Sequence, residues 1–154
     1  MVCVLSACAN WSMQADNHVS HCSSLASDAK IIQCYNKATS ILIARRILLL
    51  THGFSDGDWP HAFQMLIQLQ VENTGHFQVK SVLRSTGSHL LDKKILQALA
   101  DIEKLFVPQN ELFRTANYAQ LKLLVKPART PLLGEEELMD KSALVVYVTQ
   151  VLLR

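Results

Sequence analysis

An α+β fold is predicted for this chain: an antiparallel sheet of three to four strands with a helix packed across it, preceded by an N-terminal helix. Three features predict it. Two stretches of alternating apolar and polar residues, Phe63–Val71 and His76–Ser85, flank a short turn sequence. A single apolar stripe at helical period follows, from Leu91 to Phe106. Alternation then returns at Tyr118–Val125. A period of two puts every other side chain on one face of a strand, and a period near 3.6 puts them on one face of a helix.

The chain has 154 residues, of which 49% are hydrophobic, enough for one domain with a real core. Its net charge of +2 is small and its Lys and Arg are scattered, which excludes a basic nucleic-acid surface. A spanning helix needs about 18 apolar residues or more. The best stretch, Ser40–Leu50, is broken by Arg45 and Arg46 and reads as a soluble helix.

Residues 1–27 are set apart from residues 28–154 by their loose, Ser-rich composition. Leu5-Ser6-Ala7-Cys8 resembles a bacterial lipobox: an apolar residue, two small ones, then the cysteine that receives lipid, here Cys8. A full signal peptide needs a basic start and an apolar stretch of roughly 7–15 residues. Seven residues precede Cys8 and none is basic, so two readings stay open: a start upstream of Met1, or a chance match. With the lipobox, residues 1–27 are a truncated signal and flexible tether. Cys22 and Cys34 would then stand in an oxidising space and could pair. They could not do so on one continuous helix, where twelve residues span roughly 18 Å.

Ser27 or Asp28 caps a first helix whose stripe is Ile31, Ile32, Tyr35, Ala38, Ile41, Leu42 and Leu48. His52-Gly53 stops it, and Ser55–Asp58 is a turn. After Trp59-Pro60, Phe63, Met65, Ile67, Leu69 and Val71 alternate with glutamines, and Glu72–Gly75 reverses the chain. On the return strand Phe77, Val79 and Leu83 share one face, and Gln78, Lys80 and Arg84 the other. Gly87 breaks that strand, and Ser88 or Asp92 caps a second helix running to Phe106 before Pro108. Pro127 closes the strand that starts at Tyr118. Glu135–Lys141 reads as one helical turn or two, and Ala143–Leu153, rich in Val, as a strand.

The stretch Thr74–Asp92, TGHFQVKSVLRSTGSHLLD, together with the later Phe106 and Pro108, resembles the core motif of the TonB/TolA C-terminal domain family. Gly75, Val79, Val82, Ser85, Thr86, Gly87, Leu91, Asp92, Ala98, Leu99, Phe106 and Pro108 fall where that pattern places them, over about 50 of the 154 residues. The resemblance implies a β-β-α-β domain in which Gly75, Ser85, Thr86, Gly87, Leu91 and Asp92 build the fold and do no chemistry. It implies an exposed strand after the second helix, where a partner's extended segment adds to the sheet. By resemblance that edge is Tyr118, Gln120, Lys122, Leu124 and Lys126, or else Ala143–Leu153. An energy transducer resembling TonB carries a membrane helix and a Pro-rich spacer; neither is visible here, and a segment is added after Pro108. A fixed part of an envelope assembly suits the chain better.

No enzyme signature emerges. His18, His21 and Cys22 cluster, but without a second ligand pair, so no metal is expected. Cys34 lacks a nucleophile's local signature and its apolar helix favours burial. Asp56 and Asp58 flank Gly57 in a surface turn, and no phosphate loop, GxSxG or HExxH occurs. A catalytic pocket would have to unite several of His52, Asp56, Asp58, His61 and Cys34. Tyr35, Phe54 and Trp59 read as core or hinge aromatics, and Trp11 as a stray in the loose segment. The expectation is a non-catalytic, cofactor-free interaction module on the periplasmic side of a bacterial envelope, lipid-anchored to the outer membrane if Cys8 is modified. Its partner would be an outer-membrane receptor or another envelope subunit. The alternative is a structural subunit of a secretion or transport complex, oligomeric through the Val-rich C-terminal strand.

Overall fold

The computed structural model describes residues 21–25, 27–55, 58–60, 63–107, 118–131 and 137–152. Helix α1 is Asp28–Thr51, β1 Met65–Glu72, β2 Phe77–Arg84, α2 His89–Ala100, β3 Tyr118–Pro131 and β4 Glu137–Leu152. The four strands form one antiparallel sheet in the order β2-β1-β3-β4. The α+β class, the sheet and the leading helix are therefore as the residue pattern predicts. Cys3, Cys8, Trp11, His18, Asp56, His61 and Pro108 lie outside the described residues.

The sheet has one dry face. Met65, Ile67, Leu69 and Val71 of β1 and Ala119, Leu121, Leu123 and Val125 of β3 are buried, and they form one cluster with Ile43 and Ile47 of α1 and Leu91, Ile95, Ala98 and Leu99 of α2. Both helices thus cover the same face, and α1 packs against α2 and β4. Full burial of each Val, Leu, Ile or Met side chain among them contributes roughly 1.5–3 kcal/mol. The opposite face is polar: Gln68 donates to Gln120 at 2.9 Å and accepts from the Ser81 hydroxyl at 3.3 Å, a ladder across β2, β1 and β3.

Ser27 caps α1, its hydroxyl accepting the Lys30 N–H. The buried line of α1 is Tyr35, Ala38, Thr39, Ile43, Ile47 and Thr51, which shares Tyr35 and Ala38 with the stripe the sequence suggests and then departs from it. Ile31, Ile32, Ile41 and Leu42 are only half-buried. From Ile41 to Leu50 the helix is apolar almost all round, so the pattern does not select a face. Thr39 and Thr51 enter the interior because their hydroxyls bond the Phe106 and Ile47 carbonyls, at 3.3 and 2.9 Å.

Helix α2 stops at Ala100, six residues short of the predicted Phe106. The chain leaves the helix so that the Leu105 N–H can reach the Gly75 carbonyl at 2.9 Å, while Leu105 and Val107 enter the core. Strand β2 also departs from simple alternation. Two bulges leave Lys80 and Leu83 without an opposite residue, so Val82, not Leu83, stands opposite Ile67. Beyond Val125, β3 has outrun β1 and pairs with β4 alone, so Pro127 does not close it. The missing N–H of proline is tolerated there, beside a register shift between Pro127 and Ala128. Of the expected helical turn Glu135–Lys141, residues 137–141 are strand instead, with 137–140 paired to 128–131, and residues 135 and 136 lie outside the described residues.

Candidate functional site

The corner between β2 and α2 is built by Asp92. Its carboxylate accepts from the Ser85 hydroxyl, from the Thr86 hydroxyl at 2.7 Å and from the Thr86 N–H at 2.9 Å. Burial pushes the Asp92 pKa up, but those hydrogen bonds and the nearby His89 outweigh it and hold the carboxyl below its ordinary value. Ser88 caps the helix through the Leu91 N–H at 3.3 Å. Gly87 sits at φ +86°, the left-handed region, with its N–H on the Ser85 hydroxyl at 3.0 Å. The side chains of Ser85, Thr86, Ser88 and Asp92 are all engaged in holding the corner, in keeping with a role in folding.

Possible chemistry elsewhere is sparse. Cys34 is bonded to Cys22, with Cα atoms 5.5 Å apart, so it has no thiol to act as a nucleophile. The pairing works because α1 begins at Asp28 and Cys22 precedes it, folded back on a turn, so the two do not share one helix. Asp58 accepts from the Ser55 hydroxyl and N–H, both at 2.8 Å, and these bonds hold its pKa below the ordinary value. It closes a turn. His52 is exposed at the end of α1. Phe54 packs edge-on to Trp59, with ring centres 5.5 Å apart, and Trp59 stacks on Phe63 at 6.2 Å, so these aromatics extend the core. Among the described residues no three His, Cys, Asp or Glu side chains form a metal-sized group, and no helix is long and apolar enough to cross a membrane.

A groove of about 500 Å³ lies between β2 and α2, lined by Met65, Val82, Leu96, His89, Asp92 and Lys93. Its one carboxylate is already engaged with Ser85 and Thr86. The groove offers an apolar floor and few polar groups to orient a ligand.

The sheet ends on β2 and β4. Tyr118, Gln120, Lys122, Leu124 and Lys126 lie on β3, the first four opposite Glu72, Gln70, Gln68 and Leu66 of β1 and the last four paired on the other side with Val151, Thr149, Tyr147 and Val145 of β4. They cannot be the exposed edge: the segment after Pro108 contributes a second strand, β4, which takes the place a visiting peptide would occupy. Of the two alternatives the resemblance left open, the Ala143–Leu153 segment, described as far as Leu152, is the outer one.

The two edges differ. Strand β2 is bulged twice and carries Lys80 and Arg84 among its eight residues, devices that blunt an edge against further pairing. Strand β4 from Leu144 to Leu152 pairs without interruption with β3, and those nine residues include no charge, glycine or proline. Leu144 and Val146 point into the core, Tyr147 is 51% exposed beneath the Lys126 ammonium, and Thr149 is exposed. Among the described residues no strand lies beyond β4. Its N–H and C=O groups form a regular row with nothing in the sequence to deter a further strand.

No protein-family model matches the chain, and neither a curated protein nor a solved structure is detectably similar to it.

Proposed function

We propose that this protein is a non-catalytic interaction module of the bacterial cell envelope that binds a protein partner by β-strand addition along the outer edge of β4. The observation that carries this is the regular, uncharged run Leu144–Leu152 at the sheet's margin. Main-chain hydrogen bonds along it supply affinity, and alternate side chains such as Tyr147 and Thr149 supply selectivity. The Cys22–Cys34 bridge supports an oxidising compartment, as a periplasmic location requires. The resemblance of Thr74–Asp92 to TonB-type domains, and the lipobox-like Leu5–Cys8, support an envelope role in transport or energy coupling.

Photo-crosslinking residues placed singly at Tyr147, Thr149, Lys122 and Lys80 test the edge in cells, and fractionation tests the compartment. Protein adducts from the two β4 positions, with none from Lys122 or Lys80, are the expected result. Adducts confined to Lys80 on β2 would move the binding edge across the sheet and end this reading, and residence in the cytosol would end the envelope assignment.

A further inference from the structure

We infer that the strand added at β4 is β4 of a second copy of this chain, paired antiparallel about a two-fold axis through Val148. This rests on the strand-addition reading above and names its partner.

Two independent observations lead there. The first is the composition of the edge. Opposed residues of an antiparallel pair share a face, so a two-fold axis must pass through a residue. Val148 is the midpoint of the regular run. The axis there sets Leu144 opposite Leu152, Val146 opposite Gln150 and Tyr147 opposite Thr149, so neutral residues meet neutral residues throughout. An edge tuned to a charged partner segment would carry the complementary charges, and the run Leu144–Leu152 has none. The same operation at the middle of β2 would bring together the Lys80 residues of two copies.

The second observation is α1. It packs on β4, the edge strand, yet is apolar round most of its last three turns. Leu49 is 57% exposed, and Ile41, Leu42, Leu48 and Leu50 are only half-buried. A helix apolar all round belongs in an interior. Pairing β4 with its symmetry mate places both α1 helices on the same face, on either side of the axis. The new neighbour is thus another apolar helix, and a self-complementary surface of this kind closes as a dimer. The result is a continuous eight-stranded sheet, twice the four strands of one chain.

Light scattering on the full chain over a wide concentration range tests the proposal, and a dimer is expected. Thr149 is exposed and stands opposite Lys122 of β3, so T149E sets opposite charges side by side within the chain while placing two carboxylates across the axis, on diagonal positions about 7–8 Å apart. The variant is expected to weaken the dimer about tenfold or more while keeping the native circular dichroism. A second measurement reads the register. In a C3S/C8S background, Y147C and T149C chains mixed under oxidising conditions should form a mixed disulfide dimer, because those positions face each other only in this pairing. A native chain that is monomeric throughout, or a dimer indifferent to T149E that yields no mixed disulfide, overturns the inference. Hydrogen exchange separates the two levels. A monomer with rapidly exchanging β4 amides removes the self-pairing but leaves the edge open to a different protein. A dimer that protects β2 amides instead removes both.

Discussion

The Gly75 carbonyl accepts the Leu105 N–H at 2.9 Å, and a Cβ placed on Gly75 would stand 2.5 Å from the Leu105 carbonyl oxygen. The β1–β2 turn is thereby docked, backbone against backbone, on the chain that leaves α2. Gly75 has φ +88°, so a side chain there meets conformational strain and a collision together. Gly87 has φ +86° with open space around it, so strain acts alone. G75A should therefore cost about 2–4 kcal/mol of stability and G87A about 1–2 kcal/mol. Chemical denaturation of both variants checks the order; equal losses would mean that Leu105 yields freely.

Asp92 ties the pH response to the corner. A carboxyl held below its ordinary pKa in the fold contributes stability that is present above the unfolded value of about 3.9 and is lost as pH falls through the folded value. The native protein should lose stability on acidification below about pH 4, and D92N should lose that part of the dependence. At neutral pH D92N is expected to cost roughly 1–3 kcal/mol, since two hydroxyls and an N–H lose a charged acceptor. Melting temperatures of both proteins across the acid range decide it.

The Cys22–Cys34 bridge closes a loop of twelve residues' separation. Reduction should lower stability by about 2–3 kcal/mol, and C34S should lower it similarly and become insensitive to reductant. Thermal melts with and without dithiothreitol provide the check. A native melt unmoved by reductant would show that α1 holds its N-terminal turn without the bridge.

Core and edge side chains should separate cleanly. I47A and I95A each remove a fully buried side chain and are expected to cost about 2–5 kcal/mol. L83A removes a half-exposed residue at a bulge and should cost well under 1 kcal/mol. Denaturant midpoints at constant slope measure all three; a large loss for L83A would contradict the register shift at that position.

Much of the architecture was legible because period and chemistry agreed. The 63–71 alternation, the turn at Glu72–Gly75 and the Ser-Thr-Gly corner each combine a hydrophobic pattern with a residue suited to the backbone demanded. Legibility failed where tertiary contacts override local pattern. Nothing near Ala100 ends a helix by its own preference; the end is set by Gly75, twenty-five residues upstream in sequence. Pro127 suggests a strand end, and would be one if β1 ran as far as β3 does. The bulge at Lys80 carries no sequence signal, so the alternation alone gives Leu83 the face that Val82 takes. The resemblance points to Tyr118–Lys126 as an edge because the family pattern stops at one strand after the helix, whereas here β4 follows. One signal could have corrected it: Ala143–Leu153 is charge-free and dense in β-branched residues, and such a strand needs a neighbour to pair with.

The bridge between Cys22 and Cys34 also fixes how tension would travel through the molecule. A pull on the polypeptide ahead of residue 22 passes through the sulfur–sulfur link straight to Cys34, so residues 23–33 carry none of it. The first turns of α1 are thus slack under load, and strain enters the helix one residue before the buried ring of Tyr35. A chain held at its N-terminal end would deliver force to the body of the domain without first unravelling the helix that leads into it.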